Sequence, residues 1–308
     1  MAQCSLLDVV NRFNLHVVFA SATSLSRNVT SVEVDRPGLE MTGYFEFHRK
    51  TRLVLIGRKE MSYLEHMSYE QAYEVFLKIC SLETPGIVIC HGLDCPGVII
   101  AAAMKNNCSV FTTKTDTSEF QADVLNYLSE KLAPLTSIHA NLLEIFGEGV
   151  LMIGDSGIGK SEVCLDLIKR GQTLVADDKV EIRNVRGLLE GQAPEIIYGV
   201  MECRGIGIVD VVHTFGINSL KRKVRIKYCI DLVKFDPKVN FDRLGSDEKT
   251  SYLGVEIPYV KLPVSPGRSV AEVVEVAVTN LKLKEYGFDS RKEFEKRLDD
   301  FRKGKIVK

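Results

Sequence analysis

The residues best suited to chemistry form one glycine-rich octapeptide, Gly154-Asp155-Ser156-Gly157-Ile158-Gly159-Lys160-Ser161. This octapeptide matches the phosphate-binding pattern G-x-x-x-x-G-K-[ST] at every fixed position. In such a loop the backbone N–H groups bind phosphate oxygens, the lysine reaches the β- and γ-phosphates, and the last hydroxyl ligates Mg²⁺. The segment therefore predicts that residues 154–161 bind a nucleotide or polyphosphate, with Lys160 on the phosphates and Ser161 on the metal.

The segments on either side of this loop have the patterns needed to position it. Residues 149–153 form a short apolar run typical of a buried strand, and residues 162–170 place apolar side chains at helical spacing. Gly171 follows as a C-terminal cap. We therefore expect the order strand, loop, helix, which is the context in which the pattern binds phosphate.

Two adjacent carboxylates, Asp177 and Asp178, follow a short apolar strand predicted at residues 173–176. In a Mg²⁺–nucleotide site, one such carboxylate can hold the metal and the other can accept a proton from an incoming hydroxyl. Adjacent like charges also raise the pKa of one member, which suits a group that acts as base or acid. An ordinary Asp-Asp turn is the alternative, and the nearby phosphate loop favours the functional interpretation.

Four further candidates have weaker signals. Residues 201–210 place an acid, a base and two glycines within six positions, a composition that suits a close-fitting phosphate site. A β-bulge with a surface ion pair explains the segment equally well. Arg243 lies in a polar loop and could offset phosphoryl charge, with a solvated surface arginine as the alternative. Residues 263–269 predict a loop of fixed geometry with one positive charge, and His139 taken alone is typical of a structural histidine.

Composition places this 308-residue chain among globular proteins with one large domain or two ordinary ones. Lys and Arg total 40 against 41 Asp and Glu, so the net charge of −1 gives no reason to expect nucleic acid or membrane as a partner. No apolar run has membrane-spanning length, no secretory signal is visible, and the cysteines lie in apolar stretches typical of buried free thiols. We therefore expect a cytoplasmic protein.

The order of the predicted elements indicates an α/β fold with two domains. Strands alternate with helices in residues 1–132, which predicts a small N-terminal α/β domain that ends in a helix over 119–132. Residues 133–308 carry the phosphate loop, several strands that include one predicted at 196–198, and a helical tail from about residue 270.

Together these motifs resemble the bacterial HPr kinase/phosphorylase family over about residues 5–290. The strongest segment runs from Ile138-His139 through the phosphate loop to Asp178. The segment Met201-Glu202-Cys203-Arg204-Gly205-Ile206-Gly207-Ile208 is similar to the family signature, and Arg36-Pro37-Gly38-Leu39 is similar to the family's N-terminal domain. The resemblance implies a C-terminal P-loop kinase domain related to phosphoenolpyruvate carboxykinase, and a homohexameric assembly.

The resemblance also implies an activity and its partners. Such enzymes use ATP or pyrophosphate with Mg²⁺ to phosphorylate a seryl hydroxyl of the small carrier protein HPr, in carbon catabolite regulation. They also remove this phosphate by phosphorolysis, with inorganic phosphate as acceptor and pyrophosphate as product. Fructose 1,6-bisphosphate and phosphate are the effectors that the resemblance implies.

For individual residues, the resemblance implies distinct roles. Lys160 would contact the transferring phosphate, and Ser161 and Glu202 would bind Mg²⁺. Asp178 would act as the base in the kinase direction and as the acid in phosphorolysis.

The remaining implied residues would assist this chemistry. His139 and Arg243 would support phosphoryl transfer, and residues 264–269 would bear mainly on phosphorolysis. The chain departs from the family pattern at three positions, Ala140, Cys203 and Ser265. Because Ser265 stands where a basic residue is expected, we expect its effect to fall on the reverse reaction.

Four other interpretations of the sequence remain open. A phosphoenolpyruvate carboxykinase-like enzyme would share the loop but act on a small molecule. A non-catalytic nucleotide sensor would bind ATP, although it would not need the base that Asp177 and Asp178 offer. Cys90 and Cys95 have the spacing of half a zinc site, and residues 221–227 are basic enough to contact nucleic acid. In residues 221–227 the alternation with apolar side chains instead predicts a strand with one basic face.

Overall fold

The computed structural model describes residues 4–203, 205–235, 247–265 and 269–303. The chain divides into two compact units, Met1–Ala133 and Pro134–Lys308. Three predicted features lie outside the described residues: Arg243, Arg204 of the 201–210 segment, and positions 266–268 of the 263–269 loop.

From residue 4 onward, the described part of the first unit contains seven strands and six helices. The strands are β1 (Cys4–Ser5), β2 (His16–Phe19), β3 (Asn28–Val29), β4 (Val34–Asp35), β5 (Leu53–Ile56), β6 (Gly86–Ile89) and β7 (Ser109–Thr112). The helices are α1 (Leu6–Phe13), α2 (Ala22–Leu25), α3 (Arg58–Leu64), α4 (Tyr69–Ile79), α5 (Gly97–Lys105) and α6 (Thr117–Lys131), with a short 3₁₀ turn at Glu40–Thr42.

A five-stranded sheet of order β2-β7-β6-β5-β4 forms the centre of the first unit. Strands β4 to β7 run parallel and β2 is antiparallel to β7. Every residue of β5 is buried, with Val54 and Ile56 in the core shared with α4 and α5, and Leu53 and Leu55 in the core shared with α1 and α6. The continuous apolar run of β5 is therefore the signature of a parallel strand covered on both faces.

Helix α4 begins at a capping box. The Ser68 hydroxyl accepts the Gln71 N–H, and the Gln71 side chain accepts the Ser68 N–H. These two bonds satisfy backbone donors that the first helical turn leaves free, so the helix start is encoded locally.

The second unit contains eleven strands and four helices in its described residues. The strands are β8 (Leu135–His139), β9 (Asn141–Ile145), β10 (Glu148–Gly154), β11 (Thr173–Ala176), β12 (Lys179–Val185), β13 (Leu188–Gln192), β14 (Val200–Cys203), β15 (Gly207–Asp210), β16 (Lys223–Lys234), β17 (Lys249–Tyr252) and β18 (Val255–Val264). The helices are α7 (Lys160–Lys169), α8 (Val211–Phe215), α9 (Val270–Glu285) and α10 (Ser290–Arg302), with 3₁₀ turns at Glu195–Ile197 and Ile217–Ser219.

A nine-stranded sheet supports the phosphate loop of the second unit. Its main path has the order β11-β9-β10-β16-β13-β12-β8, and β18 pairs with β16 and β17. Strand β10 is parallel to β16 and antiparallel to β9, so the strand that precedes the loop is central. Val150 and Met152 of β10 share one core with α7 and α9, whereas Leu151 faces the opposite core. This packing on both faces holds the end of β10 in place.

One predicted strand is wrong. Residues 196–198 do not form a strand: Glu195–Ile197 is a 3₁₀ turn, in which the Ile197 N–H donates to the Pro194 carbonyl at 3.1 Å. Ile196 is 92% exposed, so this apolar side chain does not mark a buried position. Pro194 favours a turn here because its ring fixes φ.

The helical tail and the cysteines agree with the sequence predictions. Residues 270–302 contain α9 and α10. Helix α10 has no buried residue, as expected of a solvated charged end. All eight cysteines are free, and all except Cys95 are buried. Within the described residues, no helix combines the length and apolar character that crossing a membrane would require.

Candidate active site

The phosphate loop connects β10 to α7 through three glycines with positive φ angles. Gly154 has φ +145°, Gly157 has +81°, and Gly159 has +103° as the N-cap of α7. A Cβ atom at Gly154 would lie only 2.5 Å from the carbonyl oxygen of Leu232, so only glycine fits there without rearrangement. These angles turn the backbone between strand and helix, which leaves the N-terminus of α7 facing the site.

Lys160 is the first residue of α7 and is 8% exposed. Its Nζ donates to the carbonyl oxygens of Gly154 at 2.9 Å and Asp155 at 3.2 Å. The ammonium group therefore lies inside the curve of the loop. A lysine held there supplies a positive charge at the place where a phosphate loop binds phosphate oxygens.

Asp177 connects three elements around the loop. Its Oδ1 accepts hydrogen bonds from the Ser161 hydroxyl at 3.1 Å and from the Asn141 amide, and its Oδ2 accepts the Glu202 N–H at 3.0 Å. The residue is 5% exposed, and burial raises its pKa because a charged carboxylate is poorly solvated there. The hydrogen bonds from Glu202 and Ser161 oppose this rise, since they stabilise the ionised form.

Asp178 occupies the turn between β11 and β12 and differs from its neighbour. It has φ +64°, an uncommon backbone conformation for a residue with a side chain. Its carboxylate is 70% exposed and lies 3.0 Å from Nδ1 of His139, which ends β8. Lys179 pairs with His139 between β12 and β8, so this register brings His139 and Asp178 together.

A cavity of about 180 Å³ lies between these groups. Its lining residues are His139, Asn141, Ser156, Gly157, Gly159, Lys160, Ser161, Glu162, Asp177, Asp178 and Glu202. The structure thus brings together most of the predicted site residues. Gly154, Asp155 and Ile158 belong to the loop but do not line the cavity, and Arg243 lies outside the described residues.

The oxygen donors around Ser161 fit a magnesium ion. Ser161 provides a hydroxyl, Asp177 provides a buried carboxylate, and Glu202 provides a second carboxylate at the same cavity. In addition, the buried Oδ1 of Asn141 has no hydrogen-bond partner. Hard oxygen ligands, combined with the phosphate oxygens of a nucleotide, are what Mg²⁺ prefers.

Comparison with known proteins identifies the family. A model of the HPr serine kinase C-terminal domain matches residues 130–298, and a model of the HPr serine kinase N terminus matches residues 4–128. The chain belongs to the HPr serine kinase family.

Two relatives compared by sequence agree with this family assignment. The chain is 42% identical over 294 residues to an HPr kinase/phosphorylase of Streptococcus thermophilus, with 95% of each chain covered. It is 41% identical over 295 residues to an HPr kinase/phosphorylase of Geobacillus thermodenitrificans, again with 95% of each chain covered. A solved Hpr(Ser) kinase/phosphatase from Coxiella burnetii is 34% identical, matches with a TM-score of 0.46, and covers 49% of this chain and 99% of its own.

Two residues at this site were not predicted from the sequence. Asn141 is 1% exposed and donates both to Asp177 and, at 3.2 Å, to the Cys164 sulfur. Glu162 lines the cavity from the first turn of α7. The only sequence signal for Asn141 is a polar residue at the start of a mainly apolar strand, because its partner Asp177 directly follows another strand, 36 residues away.

The basic segment 221–227 forms the start of β16 and the residues before it, as the predicted strand with one basic face requires. Four of its five basic side chains form ion pairs within the protein: Lys221 with Glu144, Arg222 with Glu195, Lys223 with Glu190, and Lys227 with Glu148 and Glu285. Because nearby carboxylates offset these charges, the segment is a poor match for a phosphate backbone.

The three departures from the family pattern have different surroundings. Ala140 is fully buried, and its N–H donates to the Asp178 carbonyl oxygen at 3.2 Å. Cys203 is 8% exposed and belongs to the core under α7. Ser265 is half-buried and directly follows β18. Ala140 thus fixes the backbone of the turn that presents Asp178.

Proposed function

We propose that this chain is a bifunctional HPr serine kinase and phosphorylase. It would transfer a phosphoryl group from ATP or pyrophosphate to a seryl hydroxyl of HPr, and remove the same group with inorganic phosphate. The observation that carries the proposal is the exposed carboxylate of Asp178, paired with His139 at the rim of a cavity that also contains Lys160 and Ser161. An accessible carboxylate beside a phosphate-binding loop supports a role for Asp178 as the base.

In the kinase direction, Asp178 would accept the proton of the HPr serine hydroxyl. The seryl oxygen then forms a bond to the terminal phosphorus of the donor, and the bond from that phosphorus to its bridging oxygen breaks. Lys160 and the N-terminus of α7 offset the negative charge on the phosphate oxygens. His139, 3.0 Å from Asp178, would orient the carboxylate and interact with the proton that it holds.

In the reverse direction, an oxygen of inorganic phosphate forms the new bond to the phosphorus of phosphoserine. The bond from phosphorus to the seryl oxygen breaks, and Asp178 returns its proton to that oxygen. The products are serine and pyrophosphate. Because phosphorolysis is the microscopic reverse of phosphoryl transfer from pyrophosphate to serine, a single carboxylate can serve as base in one direction and as acid in the other.

Ser161, Asp177 and Glu202 would hold the metal ion of the reaction. Mg²⁺ bound there would polarise the phosphoryl oxygens and neutralise developing charge. Asp177 would remain hydrogen-bonded to Ser161, which fixes the hydroxyl toward the metal position. Arg243 would add a further positive charge during transfer.

An exposed apolar hairpin beside the cavity favours a protein substrate over a small molecule. Strands β14 and β15 pair Glu202 with Ile208, so the residue that lines the cavity and an apolar side chain lie in one hairpin. Ile206 is 74% exposed and Ile208 is 80% exposed. Apolar side chains exposed together in this way are typical of surfaces that contact another protein.

Three properties remain predictions of the resemblance: a homohexamer, a response to fructose 1,6-bisphosphate and phosphate, and a kinase domain related to phosphoenolpyruvate carboxykinase. A cytoplasmic location without nucleic acid or membrane partners remains a prediction from composition, charge and the placement of the cysteines. Analytical ultracentrifugation would test the hexamer, and titration of the phosphotransfer rate with each effector would test regulation.

A two-stage assay with purified protein, HPr, Mg²⁺ and ATP tests the proposed function. We expect phosphoserine on HPr, followed by its loss and by pyrophosphate release when excess inorganic phosphate is added. An Asp178→Asn variant should lose both reactions. Glu256→Gln is the matched control, because this exposed carboxylate pairs with Lys249 on the surface, at 3.2 Å.

Three outcomes would contradict the proposal in different ways. Retention of transfer in Asp178→Asn would exclude this carboxylate as the base. Tight ATP binding without any transfer to HPr would instead indicate a nucleotide sensor or a small-molecule kinase. Transfer without reversal would leave a kinase alone, and a Ser265→Arg variant would then test whether this position limits phosphorolysis.

A further inference from the structure

A second group of chemically active side chains lies in the first unit, within the connection from β4 to β5. Asp35 ends β4, Glu40 begins the 3₁₀ turn Glu40–Thr42, and His48 follows in the next turn. The phosphoryl-transfer reaction proposed above does not use these residues. Their ligand atoms all lie within 4.8 Å of one another, although the residues span fourteen positions of the sequence.

The three side chains lie close together and are largely buried. Nδ1 of His48 lies 3.0 Å from Oδ2 of Asp35 and 3.5 Å from Oε1 of Glu40. The side chains are 3% exposed for His48, 16% for Asp35 and 12% for Glu40. Ligand atoms at the corners of a tetrahedron around a zinc ion are about 3.4 Å apart, which is close to both distances.

The imidazole of His48 is buried, and its ring nitrogens form no hydrogen bond despite the nearby carboxylates. Neither Nδ1 nor Nε2 has a partner in hydrogen-bond geometry, and Oδ2 of Asp35 also has none. Buried polar atoms without partners lose their hydration and gain nothing in return, so natural proteins retain few of them. Because Nδ1 lies beside two carboxylates without hydrogen-bond geometry to either, a group that accepts lone pairs from all three residues would satisfy the site.

Two carboxylates at this site have no neutralising side chain apart from the histidine. In the described part of the chain, no lysine or arginine forms an ion pair with Asp35 or Glu40. Arg36 is adjacent in sequence, but its guanidinium pairs with Glu60 at 2.9 Å. Placing two negative charges together in a half-buried site is unfavourable without a cation between them.

We propose that Asp35, Glu40 and His48 bind a divalent transition-metal ion, with Zn²⁺ as the best match. Two carboxylates and one neutral imidazole balance its charge, and this mixture of nitrogen and oxygen ligands suits Zn²⁺ better than Mg²⁺, which prefers oxygen alone. Three protein ligands leave one position of a tetrahedron for water. A groove of about 540 Å³, lined in part by His48, Phe45 and Lys50, lies beside the site.

Equilibrium dialysis of the full chain against Zn²⁺ tests this site. We expect the parent protein to bind one more equivalent than a His48→Gln variant, or to bind it at least tenfold more tightly. His66→Gln is the matched control. His66 is an exposed histidine of the same unit, and its Nδ1 contacts the carbonyl oxygen of Ser62. This control should retain the parent's stoichiometry, even if the exposed His139–Asp178 and His213–Asp210 pairs also take up Zn²⁺.

Thermal unfolding gives a second readout that does not depend on activity. Zn²⁺ should raise the melting temperature of the parent protein, EDTA should reverse the rise, and His48→Gln should lack it. Glu40→Gln keeps a similar shape and one oxygen ligand, so it decides the question if His48→Gln does not fold. Equal Zn²⁺ binding by the parent and both site variants would overturn the proposal. Absence of a bound equivalent in the parent would also overturn it, and would leave a protonated imidazole as the cation between the carboxylates.

Discussion

Asp177 and Asp178 are adjacent in sequence but have opposite surroundings. Asp177 is 5% exposed and accepts hydrogen bonds from three residues, whereas the Asp178 carboxylate is 70% exposed and lies beside His139. The positive φ of Asp178 produces this difference, because it turns the chain sharply at the end of β11. The two carboxylates are therefore suited to different tasks, Asp177 to holding the loop and the metal, and Asp178 to moving a proton.

The first prediction follows from the hydrogen bonds of Asp177. In an Asp177→Asn variant one acceptor oxygen becomes a donor, so either the Glu202 N–H or the Ser161 and Asn141 donors lose their partner. We expect the affinity for Mg²⁺–ATP to fall about 10–100-fold, and the free energy of unfolding to fall by about 1–3 kcal/mol. Calorimetric titration and urea denaturation measure these two changes.

Asp178→Asn is the matched comparison for this prediction, since it should reduce the rate of transfer to HPr by about 10²–10⁴-fold while leaving nucleotide affinity within about twofold. Equal losses of affinity in the two variants would show that the carboxylates do not divide the work in this way.

The second prediction concerns Gly154. An alanine there would require φ near +145° and place Cβ 2.5 Å from the Leu232 carbonyl oxygen. We expect Gly154→Ala to lower the free energy of unfolding by about 3 kcal/mol and to weaken ATP binding, because the loop must shift. Gly187→Ala is the control: it also has a positive φ, but its Cβ would meet no atom within 4 Å, so a loss of about 1 kcal/mol is expected. Similar losses in the two variants would show that the backbone near Leu232 yields easily.

The parts of the site that could be predicted from sequence are those encoded by contiguous residues. Each fixed position of the phosphate loop depends on local backbone geometry, so Gly154, Gly159 and Lys160 were recognisable without any tertiary contact. Helix α7 begins at Lys160, two residues before the predicted start, because Gly159 already caps it. Asp177 and Asp178 were recognisable because an apolar strand precedes them directly.

The parts that could not be predicted depend on pairings between distant strands. Asn141 meets Asp177 because β9 pairs with β11, and no local pattern marks that register. Asp35, Glu40 and His48 do not match a sequence spacing typical of metal ligands. They lie close together because the chain turns at Glu40. Burial was also misjudged at Ile196, because apolar character alone does not place a side chain in the core.

The third prediction concerns the cysteines. Burial raises the pKa of Cys95 to about 12, because the thiolate is poorly solvated, and the other seven cysteines are more fully buried. At pH 8 only about one Cys95 in ten thousand is a thiolate, so a thiol reagent should modify native protein slowly and at one position. The rate should rise about tenfold for each pH unit, since the thiolate fraction increases as pH approaches the pKa.

Mass spectrometry after timed alkylation measures this reaction. A Cys95→Ser variant should show almost no native-state labelling, and denaturant should expose all eight thiols in the parent. Rapid labelling of Cys90 at pH 8 would contradict the prediction, because burial holds the pKa of Cys90 at about 11.

The fourth prediction concerns the ion pair between Arg36 and Glu60. The Glu60 side chain is 7% exposed, and its carboxylate accepts both the Arg36 guanidinium at 2.9 Å and the Gly57 N–H at 2.8 Å. Glu60→Gln would leave a partly buried guanidinium without its counter-charge, so we expect the first unit to lose about 2 kcal/mol of stability. Glu33→Gln, which breaks an exposed pair with Arg52, should cost less than about 0.5 kcal/mol. Hydrogen exchange of peptides that cover β5 and α3 measures both changes locally, and equal exchange rates in the two variants would mean that Arg36 finds another partner or turns to solvent.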